Sequence, residues 1–129
     1  MVDIKNIWIQ EPVIYDYFLK FNQGDFQGVS QLFEKTGSLD APFQHRLYGR
    51  TEIYDYLQKE AKGMKALPQS GTIETLTQES IQYQLKGQVQ TSLFTINVSW
   101  TIELNRFKEI TSVTVKLLAE LHELFNLHQ

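Results

Sequence analysis

Few residues in this chain have the type and spacing to do chemistry. It has no cysteine, which removes disulfides, thiol nucleophiles and Cys-ligated zinc. Its three histidines, His45, His122 and His128, are scattered without metal-ligand spacing and read as surface residues. Asp40 and His45 are near neighbours and could form an acid–base pair, but no catalytic motif surrounds them. Aromatic residues with a polar end are the other candidates. Taken alone, Tyr17 reads as a core tyrosine whose hydroxyl is satisfied locally, and Trp100 as sheet packing. An indole nitrogen only donates, so a buried Trp100 needs an acceptor. Tyr48, Tyr54 and Tyr56 would suit a partner surface or a dimer interface.

The length of 129 residues fits one domain spanning 1–129. A hydrophobic content of 42%, with 12% aromatics, supports a sizeable core and is too high for a disordered chain. The net charge is −3 and no basic patch stands out, so nucleic acid is not an expected partner. Met1-Val2-Asp3-Ile4-Lys5 lacks the basic region and apolar run of a signal peptide, and no apolar stretch approaches a membrane span. A soluble, cytoplasmic protein is expected.

The first half has helical periodicity. Val13, Ile14, Tyr17, Phe18 and Phe21 recur on one helical face, which predicts a helix over 12–22 with Pro12 at its first position. Gly24 should end that helix and Asp25 should cap a second, which buries Phe26, Val29, Leu32 and Phe33. A short strand is expected at Leu39-Asp40-Ala41-Pro42-Phe43. A third helix begins near Thr51 and buries Ile53, Tyr54, Leu57 and Ala61, with Gly63 and Pro68 punctuating its end. The second half then changes period. Ile81, Tyr83, Leu85 and Val89 alternate with polar residues. Phe94, Ile96, Val98, Trp100, Ile102 and Leu104 do the same, and so do Val113, Val115 and Leu117. These predict long half-buried strands of an antiparallel sheet, with Asn105-Arg106 opening a hairpin loop. Leu121, Leu124, Phe125 and His128 predict a short amphipathic C-terminal helix. Three helices on one face of a curling sheet make an α+β cone with an apolar pocket.

This order of elements resembles the cone-shaped nuclear transport factor 2-like (cystatin-like) fold over nearly the whole chain. A narrower resemblance rests on Tyr17–Phe26, Leu39–Phe43, Tyr48-Gly49-Arg50, Lys59-Glu60-Ala61, Met64-Lys65-Ala66-Leu67-Pro68, Lys86-Gly87-Gln88-Val89-Gln90-Thr91, Trp100 and the final Leu-Leu-Ala…Glu-Leu-Phe-Asn-Leu pattern. These segments are similar to the C-terminal domain of the orange carotenoid protein and to its stand-alone homologues in cyanobacteria. The resemblance implies a non-enzymatic carrier or store for a keto-carotenoid of the canthaxanthin or echinenone type, held non-covalently and related to photoprotection. It implies that Tyr17 and Trp100 donate hydrogen bonds to the ligand's keto oxygen, while Phe21, Met64, Ala66 and Val115 form the wall. It also implies a homodimer, each subunit covering one end of a long ligand, and carotenoid exchange with a helical carotenoid-binding protein or a membrane. In that family the tail helix shields the outer face of the sheet.

The chain departs from the family in several places. A Thr-Pro-Trp-Phe run of the family is Thr91-Ser92-Leu93-Phe94 here, and four residues before Trp100 are missing with their glycine-rich loop. The redox-sensitive cysteine of some homologues is absent, and with no helical carotenoid domain before residue 1 the two-domain photocycle is not expected. The main rival is a small-molecule enzyme of the ketosteroid isomerase or polyketide cyclase type. That resemblance keeps an oxyanion-hole tyrosine at Tyr17 but puts Ala41 at the general-base position and Trp100 at the second oxyanion donor. Asp40 is one residue off, which on a strand means the opposite face. A third reading is a protein-binding dimeric module.

Overall fold

A computed structural model describes residues 10–118. Helix α1, Pro12–Gln23, starts with proline in its first turn and ends at Gly24, whose φ of 76° closes the helix in the left-handed region. Helix α2, Phe26–Gln31, is capped by Asp25, whose carboxylate accepts the Gly28 N–H at 2.9 Å. Strand β1 follows at Phe33–Asp40, then the two-residue β2 at Leu47–Tyr48. Helix α3 spans Gly49–Glu60. Strands β3 (Lys65–Thr77), β4 (Ser80–Gln90), β5 (Thr95–Asn105) and β6 (Ile110–Leu117) complete the described chain. The expected tail helix and the apolar lead-in at Ile4, Ile7, Trp8 and Ile9 lie outside the described residues.

All six strands form one sheet in the order β2-β1-β6-β5-β4-β3. The helices cover one face of it. Val13, Ile14, Phe18 and Phe21 of α1 and Ile53 and Leu57 of α3 share a core with Tyr83, Leu85, Val98, Ile102, Leu104 and Val113 of the sheet. The alternation read from the sequence is real: Val98, Trp100, Ile102 and Leu104 are buried while the residues between them are half-exposed. The hairpin at Asn105 forms as expected. The Asn105 side-chain oxygen accepts the N–H groups of Phe107 and Glu109 at 2.9 and 3.0 Å, and Lys108 completes the turn at φ 64°.

Three expectations need correction. The second helix stops before Leu32, and the next strand runs over Phe33–Asp40 rather than 39–43. Its middle, Glu34-Lys35-Thr36-Gly37-Ser38, carries few apolar residues because the register against β6 is interrupted between Phe33 and Ser38. The sheet is antiparallel except for β1, which runs parallel to β6 with Leu39 opposite Val113. The third correction is β3, a 13-residue strand in a region that lacked strand periodicity. As an edge strand it buries little, so its sequence is polar, and its proline is tolerated next to a bulge between Pro68 and Ser70. Opposite Pro68 stands Gly87, where any Cβ would collide with the Leu67 carbonyl oxygen. Smaller shifts follow: α3 begins at Gly49, β5 begins at Thr95, and Phe94 and Leu117 are exposed, although the alternation puts them on the apolar face of their strands.

Two contacts tie α1 to this frame. Lys108 pairs with Glu11 at 3.2 Å, joining the start of the helix to the β5–β6 turn. At the other end the Asn22 side chain imitates a strand partner. Its amide donates to the Ala66 carbonyl at 2.9 Å and its oxygen accepts the Ala66 N–H at 2.7 Å. Replacing Asn22 with Ala leaves both groups of Ala66 unpaired in a half-buried setting, which costs about 1–3 kcal/mol. Urea denaturation should show that loss; an unchanged midpoint would mean the clamp does not hold the helix.

Candidate functional site

The space between helices and sheet does not close completely. A cavity of about 450 Å³ remains, lined from α1, α3, β1, β4, β5 and β6. Helical spacing puts Tyr17 and Phe21 one turn apart on α1, and their rings lie nearly parallel at 6.4 Å. Trp100 faces them from β5, with Val115 directly opposite it on β6. Met64 joins the wall from the segment after α3. Five of the six expected site residues, both donors and three of the four wall residues, therefore meet around one cavity. The sixth, Ala66, does not line it: it is buried in the core, with its backbone held by Asn22.

The polar ends are arranged sparingly. Tyr17 and Trp100 are each 3% exposed. Among the described residues no hydrogen bond reaches the Tyr17 hydroxyl or the Trp100 indole N–H, and no buried side-chain polar atom is sealed away from both partner and open space. Both residues line the cavity, and neither polar end has a protein partner among the described residues. Phe18 sets the angle between their supports, packing edge-on against Tyr17 at 5.1 Å and against Trp100 at 5.0 Å. Two neutral donors in an apolar enclosure can occupy the two lone pairs of one carbonyl oxygen. A cavity of this size suits a small lipophilic molecule or one end of a longer one.

Asp40 is elsewhere. It pairs with Arg46 at 3.4 Å and is not part of the cavity wall, so it does not pair with His45, which approaches Gln44 instead. Ala41, at the position where an isomerase would carry its base, lines the cavity. Tyr48 is exposed, and Tyr54 accepts a hydrogen bond from Gln58 at 2.6 Å. Sequence reasoning assigned Tyr56 to a surface and gave Glu60 no role, yet both belong to the cavity wall. Their signal was present: they stand four residues apart on α3, on the side that also carries Leu57 and Ala61. At the mouth, Phe43 is 96% exposed with φ 62°, a conformation uncommon for a residue with a Cβ. The altered run Thr91-Ser92-Leu93-Phe94 forms a tight turn beside it, in which the Thr91 hydroxyl oxygen accepts the Leu93 and Phe94 N–H groups.

No family model matches the chain. The orange carotenoid-binding protein of Synechocystis sp. is 29% identical over 122 residues, a match that takes in 92% of this chain and 38% of that protein. The solved orange carotenoid protein of Anabaena (Nostoc) sp., which binds canthaxanthin, superposes with a TM-score of 0.82 at 28% identity, over 98% of this chain and 40% of that one. This chain therefore spans well under half the length of these relatives, the part that corresponds to their C-terminal domain. A nuclear transport factor 2-like protein with a cystatin-like fold from Novosphingobium aromaticivorans, at 15% identity and a TM-score of 0.70, shares the fold alone. The fold is nuclear transport factor 2-like, and the resemblance to the C-terminal domain of the orange carotenoid proteins holds. Among the described residues no helix is long and apolar enough to cross a membrane.

Burial, and secondarily the neighbouring Tyr56 phenol, push the Tyr17 phenol well above its ordinary value of about 10. The unfolded chain then loses this proton first as the pH rises. The stabilisation is complete below about pH 10 and declines above it. Tyr56, raised by burial and then by Glu60, and Tyr83, raised by burial and then by Glu11, act in the same direction. Replacing Tyr17 with Phe should flatten this alkaline decline without abolishing it, as followed by denaturation midpoints from about pH 8 to about pH 11. An alkaline limb as steep as that of the parent chain would contradict the burial of an intact phenol here.

Proposed function

We propose that this chain binds a keto-carotenoid of the canthaxanthin or echinenone type, non-covalently, as a non-enzymatic carrier or store related to photoprotection. One observation carries the reading. Two hydrogen-bond donors, Tyr17 and Trp100, line an apolar cavity with no protein partner among the described residues. A ring ketone supplies the missing acceptor, and its methyl-rich ring takes up the surface of Phe21, Met64 and Val115. Ala66 would then act from behind the wall, through the clamp it makes with Asn22. The relative from Anabaena that binds canthaxanthin supports the choice of ligand.

A whole carotenoid is longer than the cavity, so its polyene leaves through the mouth beside Phe43. A homodimer is the economical assembly, each copy covering one ring of a symmetric ligand. Loading and unloading would involve a helical carotenoid-binding protein or a membrane, from a cytoplasmic location. Isomerase or cyclase chemistry is less well supported. The position that would carry the base is Ala41, and the acidic residue on the wall, Glu60, is exposed.

Produced in cells that make canthaxanthin or echinenone, the protein should purify coloured and with strongly red-shifted absorption. A colourless product from pigment-making cells would contradict the proposal. Replacing Tyr17 or Trp100 with Phe should shift the spectrum or lower pigment retention roughly threefold to tenfold, the worth of one net hydrogen bond. Spectra and retention identical to the parent would remove the donors from the site.

A further inference from the structure

The cavity holds more polar chemistry than a plain ketone needs. Tyr56 and Glu60 line the same space as Tyr17, from one face of α3. The three form a graded series. Tyr17 is buried at the inner end, Tyr56 is half-buried, and Glu60 is exposed at the outer end. Among the described residues no hydrogen bond engages the Tyr56 hydroxyl, and it is not sealed off. An apolar ring bound through its carbonyl alone would leave this second hydroxyl idle against hydrocarbon, which wastes its hydration.

We infer that Tyr56, backed by Glu60, forms a second polar subsite that recognises a ring hydroxyl adjacent to the bound carbonyl, so that the cavity prefers α-hydroxyketone rings to plain ketone rings. The inference rests on the ketone-binding reading above. The ligand carbonyl accepts from Tyr17 and Trp100. The neighbouring ligand hydroxyl donates to the Tyr56 oxygen, which retains two lone pairs. Glu60 strengthens that acceptor, because a carboxylate next along the helix favours the Tyr56 O–H pointing towards itself and the lone pairs pointing inward. Electrostatics agree with this proximity: Glu60 acts on Tyr56, and Tyr56 in turn on Tyr17. The same carboxylate disfavours ligands whose polar end is an anion, such as free fatty acids.

The test is competitive loading of the purified full chain with equal amounts of canthaxanthin, which has plain 4-keto rings, and astaxanthin, which adds a 3-hydroxyl to each. The parent chain should retain astaxanthin roughly threefold to tenfold over canthaxanthin, the range for one net neutral hydrogen bond. Tyr56→Phe should bring the ratio of the two retained pigments near one. Glu60→Gln, at an exposed position where folding is not at risk, should lower the ratio at least about twofold. Canthaxanthin retention with no preference in the parent chain, or a preference that survives Tyr56→Phe, would overturn the subsite and leave the ketone reading standing. Uptake of neither pigment would overturn both.

Discussion

Phe18 meets Trp100 edge to face at 5.0 Å, and this contact fixes where α1 lies across the sheet. Such a pair contributes about 0.5–1.5 kcal/mol beyond the area it buries. Its geometric effect matters more. By filling the space between helix and strand at that point, Phe18 leaves the next helical face, Tyr17 and Phe21, to look into the remaining gap. The Asn22 clamp at one end of the helix and the Glu11–Lys108 pair at the other keep that face in register. The cavity exists because the helix is held at these places and is not free to settle further onto the sheet.

A cavity built this way has a consistent chemistry. Its wall is mainly apolar, its buried donors Tyr17 and Trp100 are neutral, and its one carboxylate among the described residues, Glu60, is exposed. Burial favours the protonated Tyr17 phenol, which preserves it as a donor. An environment of low polarity strengthens each hydrogen bond formed inside it. The rim is less economical. Phe43 is presented to solvent from a left-handed backbone conformation, and Leu93 is 85% exposed in the neighbouring turn. Strained or exposed apolar residues at a mouth fit a site whose ligand extends beyond it.

Much of this was legible in the sequence, for identifiable reasons. Helix α1 declared itself through Pro12, the spacing of Val13 to Phe21 and Gly24, and the structure follows that reading closely. Strands β4 and β5 each bury one face, so period-two alternation marked them; β6 showed the same alternation in sequence, though its burial fades from Val113 to Leu117. Strand β3 was not legible, because an edge strand has little to bury and its order comes from pairing with β4. The start of β1 and its parallel pairing with β6 were hidden for a similar reason: both depend on long-range register, not on local pattern. In the site, Tyr17, Phe21, Met64, Trp100 and Val115 came from the resemblance and do converge. Ala66 was placed on the wall where it only supports it. Tyr56 reads as a surface residue in the sequence because half-buried polar aromatics suit an interface and a cavity equally well.

The most direct measurement is the carbonyl stretching frequency of a bound keto-carotenoid, read by vibrational spectroscopy in the parent chain and in the Tyr17→Phe and Trp100→Phe variants. If two donors hold the oxygen, the band should lie below its position in an apolar solvent and move back towards it stepwise as each donor is removed. A band at the apolar-solvent position in the parent chain would show that no protein donor reaches the ketone, and the account of this cavity would be wrong.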